Sequence, residues 1–334
     1  MEPLVSVIIT AFNRKEFLSE ALDSLAAQTA DRDSFEIIVV KNFKSEEVER
    51  KLQSLGAISL GSDSPYLPPF SSGAIDAARG QIICFLDDDD LFEPEKVETV
   101  IKLFKKYPDA GYYHNSAKFI NERGEMIRAP YAFNFSTFKG KGITRITHQE
   151  IKKSINKLIY FRHDFNRSCI SVKKEVLEKW APYAHKMQSA HDSFIFYCAA
   201  MSGKSMLLDE KELTRYRLNK KSVSLSSTYS FTKRQIMSYT ILRKMAEEAG
   251  EVEIQNLLER QLLFFKTMNA IHDPIQSRKA VMRAAVSFLG HSNAYNRMAN
   301  SFAGLLSFTY MLSPTLSKKL YSKLTRPTGV QSES

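Results

Sequence analysis

Cysteine is scarce in this chain: three residues in 334, Cys84, Cys169 and Cys198, lie far apart and form no CxxC pair. An odd, scattered set of thiols excludes a disulfide framework and a cysteine-based zinc site, and it fits a reducing, cytoplasmic setting. Long hydrophobic runs are missing as well. The apolar stretch Ser301 to Leu312 is interrupted and shorter than the roughly 20 residues a helix needs to span a bilayer. Met1-Glu2-Pro3 places no basic segment ahead of Leu4 to Ala11, so no signal peptide is expected and the mature chain is expected to begin here. Internal repeats are absent, and Trp180 is the only tryptophan.

What the chain does contain is ordinary globular material. It is 43% hydrophobic and 25% charged, enough to bury a full core. Lys and Arg number 47 against 37 Asp and Glu, and the resulting charge of +10 favours phosphate-bearing partners without choosing among nucleotides, lipid headgroups and nucleic acid.

Val5 to Thr10, Phe35 to Val40 and Ile82 to Leu86 are continuous apolar or β-branched runs, and helical spacing follows each of them, in Lys15 to Gln28, Glu46 to Leu55 and Pro94 to Lys106. A third strand is expected near Ile58 to Leu60 and a short helix over Ser71 to Arg79, after a proline-rich loop. Strands that are apolar throughout and alternate with helices predict a parallel sheet covered on both faces, whose ligands bind beyond the carboxyl ends of the strands. Thr10 to Arg14, Lys41-Asn42 and Asp87 to Asp90 should therefore line one crevice. Past residue 110 the pattern becomes α+β, with short strands expected at Ala110 to His114, Cys169 to Val172 and Lys204 to Leu208 and a buried helix at Phe194 to Met201. From about Phe231 the spacing is helical.

Phe85-Leu86-Asp87-Asp88-Asp89-Asp90 sets four consecutive carboxylates at the end of a strand that should be buried. Such a run is tolerable when it is well solvated or neutralised by a cation, so a metal or metal-phosphate site is the sharper reading and a solvated acidic turn the plainer one. A calcium loop beginning at Asp87 would need glycine where Phe92 stands, and the paired aspartates of a haloacid dehalogenase-type phosphatase lack their expected sequel at Leu91.

Pro3 to Arg14, Glu36 to Val40, and Phe85 to Asp90 with Pro94 following resemble, in order and spacing, a family 2 glycosyltransferase of the GT-A fold. The resemblance implies a Rossmann-like mixed sheet in a domain over 1–228, with a nucleotide-binding half (1–110) and an acceptor half (111–228), then a helical region (229–325) and a polar tail (326–334). It also implies transfer of a sugar from a nucleotide-sugar donor to a hydroxyl acceptor, a glycan or glycolipid, with inversion and with Mg2+ or Mn2+. Asp89 and Asp87 would then contact the metal, Asp88 the ribose or diphosphate, and Asp90 would be supporting and the most expendable. Thr10, Phe12, Asn13, Arg14 and Asn42 would frame the nucleotide.

Asp192 falls where the resemblance puts the general base, with His191 replacing the usual glutamate; as a bare sequence feature it could equally cap the helix that follows. Lys41 stands where the family usually has an acid that reads the base, and Phe70-Ser71-Ser72-Gly73 replaces its Arg-Asn, which leaves Arg79 or Lys41 as phosphate partners. Arg217, in Arg215-Tyr216-Arg217, matches a segment that closes over donor phosphates, and Trp180 with Tyr183 could stack on a sugar. Basic residues around Ser301 to Leu312 suit peripheral contact with the cytoplasmic face of a membrane. The rival of a different class is a non-catalytic sugar-nucleotide-binding protein. No nucleic-acid partner is expected, because the positive charge forms no recognised arginine-aromatic module.

Overall fold

The computed structural model describes residues 2–12, 15–62, 73–128, 142–219 and 229–272, together with scattered positions between 282 and 317. Ten strands form one mixed sheet: β1 (Val5–Ala11), β2 (Phe35–Lys41), β3 (Ile58–Gly61), β4 (Ile82–Asp87), β5 (Leu91–Phe92), β6 (Ala110–Ile120), β7 (Met126–Ile127), β8 (Ile143–Ile146), β9 (Ile170–Lys173) and β10 (Ser205–Arg217). Their order is β3-β2-β1-β4-β9-β6-β10-β5, with β7 beside β6 and β8 beside β10. The first half, β3-β2-β1-β4, is parallel as its apolar runs predict. β9 then runs antiparallel between β4 and β6, and this insertion sews the two halves of the sheet together.

Alternation along the parallel strands divides their side chains between two apolar layers. Val5, Val7, Ile9, Ile37, Val39, Cys84 and Leu86 pack against α1 (Leu18–Ala26), α2 (Glu46–Ser54) and α4 (Lys96–Lys106). Ile8, Ile38, Val40, Ile83 and Phe85 face the opposite layer. That layer receives α3 (Ala74–Ala77), α5 (His148–Tyr160), α6 (Lys174–Glu178), α7 (Ala181–Ala184), α8 (His191–Ala200), α9 (Tyr229–Glu248) and α10 (Val252–His272). Leu242, Met245, Leu257 and Leu258 of the last two helices are fully buried in it, so the helical region shares the core of the α/β domain.

Two elements are longer than their apolar runs suggest: β6 continues to Ile120 and β10 to Arg217. Their parallel pairing shifts register between Asp209 and Thr214, which lets β10 take β8 on its first half and β5 on its second. Helix α5 lies in a stretch that reads as irregular. At the amino end of the sheet, Gly80 enters β4 against β1, and a Cβ there would stand 2.6 Å from both Ser6 N and Val5 C.

Candidate active site

Register brings the predicted crevice together. Thr10 lies opposite Val40 on one side and Asp87 on the other, so the ends of β1, β2 and β4 open side by side. Thr10 is buried, Phe12 and Asn42 are half-buried at this mouth, and Asn13 and Arg14 lie outside the described residues.

The four acids are far from equivalent. Asp87 is the most open, with 28% of its side chain exposed, whereas Asp88, Asp89 and Asp90 are buried. Asp90 takes hydrogen bonds from Ser168 Oγ (2.6 Å) and from the backbone N–H of Arg217 (2.9 Å), joining the end of β4 to β9 and β10. Burial, with Asp89 and Asp87 adding repulsion, pushes its carboxyl well above the usual carboxylate range. Asp90 is therefore a structural anchor. Asp89 Oδ2 accepts 2.6 Å from Asn219 Nδ2.

Arg167, which carries no signal in the sequence, is the hub. It sits in a 3-10 turn (Arg167–Cys169) just before β9, where Asn166 in the left-handed region (φ +62°) caps the turn by accepting from Ser168 N–H. Its buried guanidinium donates to Thr10 Oγ1 at 2.7 Å and to Asp87 Oδ1, tying β1 to β4. Asp87 N–H also donates to Ser168 Oγ (3.0 Å), so two neighbouring side chains of one turn fix this acid.

Asp192 is the second residue of α8. The N-cap is Ala190, itself left-handed (φ +54°), and the Asp192 carboxylate accepts instead from Asn166 N–H of the arginine turn (3.1 Å). It is thus aimed across the site and does not cap its own helix. Burial raises its carboxyl to about 6, Arg167 opposes the rise, and Asp87 and Asp164 reinforce it. A carboxyl at that value is mostly ionised at neutral pH, yet basic enough to accept a proton with useful driving force. His191 is pushed down to about 3 by burial and by Arg167, so its ring is neutral beside Asp192.

Several expected donor contacts turn elsewhere. Arg217 is completely buried: it donates to Asp89 O (2.8 Å), Asn121 O, Glu122 O and Glu20 Oε2 (2.7 Å) and covers the ring of Phe17. Every arm of that fork is engaged by protein, so here Arg217 clamps the acidic loop and does not face a ligand. Arg215 forms a two-bond pair with Glu93. Arg79 pairs with Glu36 at the amino end of the sheet, away from the crevice, and Lys41 pairs with Glu49 of α2. Trp180 is buried in the core, and Tyr183, partly exposed, donates its hydroxyl to Glu248.

Among the described residues no three His, Cys, Asp or Glu side chains come together as a ligand set. Asp87 presents a partly exposed carboxylate, Asp89 is buried with one oxygen held by Asn219, and a six-coordinate Mg2+ or Mn2+ would need most of its oxygens from elsewhere. That donor set fits an ion shared with a diphosphate rather than one held by protein alone.

Comparison with known proteins agrees with this architecture. The family described as "Glycosyl transferase family 2" matches residues 6–66 and 71–179, about half of the chain. A Haemophilus influenzae protein described as an uncharacterized glycosyltransferase is 25% identical over 65% of this chain and 66% of its own length, so the chain spans about two thirds of that relative. A Methanocaldococcus jannaschii protein of the same description is 27% identical over 72% of this chain and 79% of its own. Among solved structures, Staphylococcus aureus TarS 1-349 in complex with UDP-GlcNAc superposes with a TM-score of 0.61 at 16% identity, covering 97% of this chain and 91% of that one. The mannosyltransferase PcManGT of Pyrobaculum calidifontis, in complex with GDP-Man and Mn2+, gives 0.53 at 14% identity, covering 96% and 87%. These structural likenesses speak to the fold, and with the family match they show that the chain belongs to glycosyl transferase family 2, a family of transferases, on a GT-A fold.

Proposed function

We propose that the chain moves a sugar from a nucleotide-sugar donor to a hydroxyl of a glycan or glycolipid with inversion at the anomeric carbon, and that Asp192 is the general base. The observation that carries this reading is the Asp192 carboxylate, raised to about 6 and held across the crevice from Asp87 by the Arg167 turn. In the reaction the acceptor oxygen attacks the anomeric carbon, its proton passes to Asp192, and the bond to the diphosphate oxygen breaks. In this reading Thr10, Phe12, Asn42 and Asp88 would orient the nucleotide. Held by Asp87 and Asp89 with diphosphate oxygens, Mg2+ or Mn2+ would supply charge neutralisation at the leaving group.

We place the reaction in the cytoplasm, with the helical region as a peripheral membrane contact. Leu305 and Phe308, exposed in the apolar stretch 301–312, support that placement, and no described helix is long and apolar enough to cross a membrane. The test is nucleoside diphosphate release from UDP-, GDP- and dTDP-sugars with Mn2+, together with NMR of the product's anomeric configuration. Asp192→Asn should lower turnover by about 10²–10⁴-fold, the range for a lost general base. Donor binding without turnover in any acceptor mixture would replace this reading with that of a sugar-nucleotide-binding protein.

A further inference from the structure

We propose that Arg167 is a positioning residue that gates the metal ligand Asp87: it holds the carboxylate in an ion pair until a donor diphosphate draws the guanidinium away, which makes metal and donor bind together. The proposal rests on the reading of Asp87 and Asp89 as metal ligands given above.

Three features of the site support it. Arg167 is buried and fixed by a turn, and among the described residues its guanidinium donates across the gap between β1 and β4, to Thr10 Oγ1 and Asp87 Oδ1. A cation paired to a carboxylate opposes a second cation at the same oxygen, so the free protein should hold a divalent ion poorly. Asp87 is also the one acid of the run with an appreciable exposed face, so the pair is presented to the crevice where the diphosphate must lie. A guanidinium binds phosphate with the same two-pronged geometry it uses for carboxylate, and a diphosphate carries more charge. Both bonds here come from the one nitrogen Nη2, so exchange needs no movement of the turn: the other N–H groups of the fork are the ones that would take phosphate, while Nη2 keeps its neutral acceptor, Thr10 Oγ1. Once released, Asp87 has an unopposed carboxylate for the metal. By linkage, whatever factor nucleotide adds to metal affinity, metal adds to nucleotide affinity.

Phosphate ligation alone would also make nucleotide strengthen metal binding, so the decisive measurement is on the protein without nucleotide. Mn2+ binding followed by electron paramagnetic resonance should be at least tenfold tighter for Arg167→Gln than for wild type, with the nucleotide-induced gain correspondingly smaller. Arg167→Lys, which keeps a cation beside Asp87, should stay within about threefold of wild type, and melting curves establish that each variant is folded. A second arm avoids altering Arg167. In EDTA, Asp87→Asn should bind UDP or GDP at least threefold more tightly than wild type, because the guanidinium is no longer held by a carboxylate. Unchanged Mn2+ affinity in folded Arg167→Gln, or unchanged metal-free nucleotide affinity in Asp87→Asn, overturns the gate. If wild type binds no Mn2+ even with nucleotide present, the metal reading itself fails, and that result is distinct from failure of the gate.

Discussion

Replacing the proposed base should make the protein more stable. In the folded chain the Asp192 carboxyl sits at about 6 against an ordinary value of 3.8, with burial as the leading cause. At about 1.4 kcal/mol per pH unit, a rise of about two units costs the fold roughly 3 kcal/mol once the group is ionised. Asp192 is partly open to solvent, so about 1–3 kcal/mol is the working expectation. The sign follows from the direction of the shift. A carboxyl raised by folding binds its proton more tightly in the native state, so its contribution is most favourable below about pH 4 and is lost as pH rises from there to about 6. Above 6 the penalty is constant. Asp192→Asn removes the ionisation and can keep the hydrogen bond from Asn166 N–H through its amide oxygen. Thermal and urea melts of both proteins from pH 4 to 8 should give a difference near zero at the acid end, growing through pH 5 to 6, and level above it in favour of the variant. Other titrating groups are common to the two proteins and largely cancel. A variant less stable than wild type at pH 8, or equally advantaged at pH 4, refutes the idea that Asp192 is a destabilised base held in place for chemistry.

The same carboxyl predicts that kcat/KM falls tenfold per pH unit below about 6, and an acid limb displaced toward 4 in a pH-rate profile would argue for a different base. Arg217→Ala should cost about 3–5 kcal/mol, because it strands Glu20, the carbonyls of Asp89, Asn121 and Glu122, and a large buried volume; urea denaturation reads this directly, and an undiminished midpoint would mean that the clamp does not form. Asp90→Ala should cost about 2–4 kcal/mol by leaving Ser168 Oγ and Arg217 N–H without their buried acceptor, with Asp90→Asn milder. Gly80→Ala should be destabilising by at least about 2 kcal/mol, since its Cβ would meet backbone atoms of β1 that cannot yield without moving the strand; normal expression and melting of that variant would contradict the observed strand spacing.

The parallel half of the fold was legible because each of its strands is buried on both faces, and that burial writes itself into the sequence as unbroken apolar runs. β1, β2 and β4 fall on those runs, and the crevice at their ends follows from topology alone. β6 and β10 were read as too short because their outer halves, Asn115 to Ile120 and Asp209 to Arg217, carry polar residues in a register that shifts. Helix α5 was missed although its start is written in Thr147-His148-Gln149-Glu150. Glu150 Oε2 accepts from both the backbone N–H and the hydroxyl of Thr147, the glutamate's half of the cap that a Thr-x-x-Glu spacing announces.

The site was harder to read than the fold, and its acidic run shows why. Adjacent residues of like charge look interchangeable in a sequence, but a strand end turns successive side chains in different directions, and the neighbours they meet come from far away in the chain. Asp87 meets Arg167, Asp89 meets Asn219, and Asp90 meets Ser168 and the backbone of Arg217. All four of those partners are carried by two segments, 166–168 and 217–219, that have no periodicity of their own. They reach the acids only because β9 is inserted antiparallel next to β4 and β10 runs along β6. One insertion thus places a cation between Asp87 and Asp192, two carboxylates about a hundred residues apart in sequence, and gives them different surroundings. Asp87 is paired with Arg167, whereas Asp192 accepts from the backbone N–H of Asn166 and its carboxyl is raised. A paired carboxylate suits a ligand that exchanges partners, and one whose carboxyl is raised suits a group that must take up a proton. The division of labour proposed for the site is therefore set by the position of β9, and it would survive changes elsewhere in the acidic run provided that the turn at Asn166 to Ser168 keeps its shape.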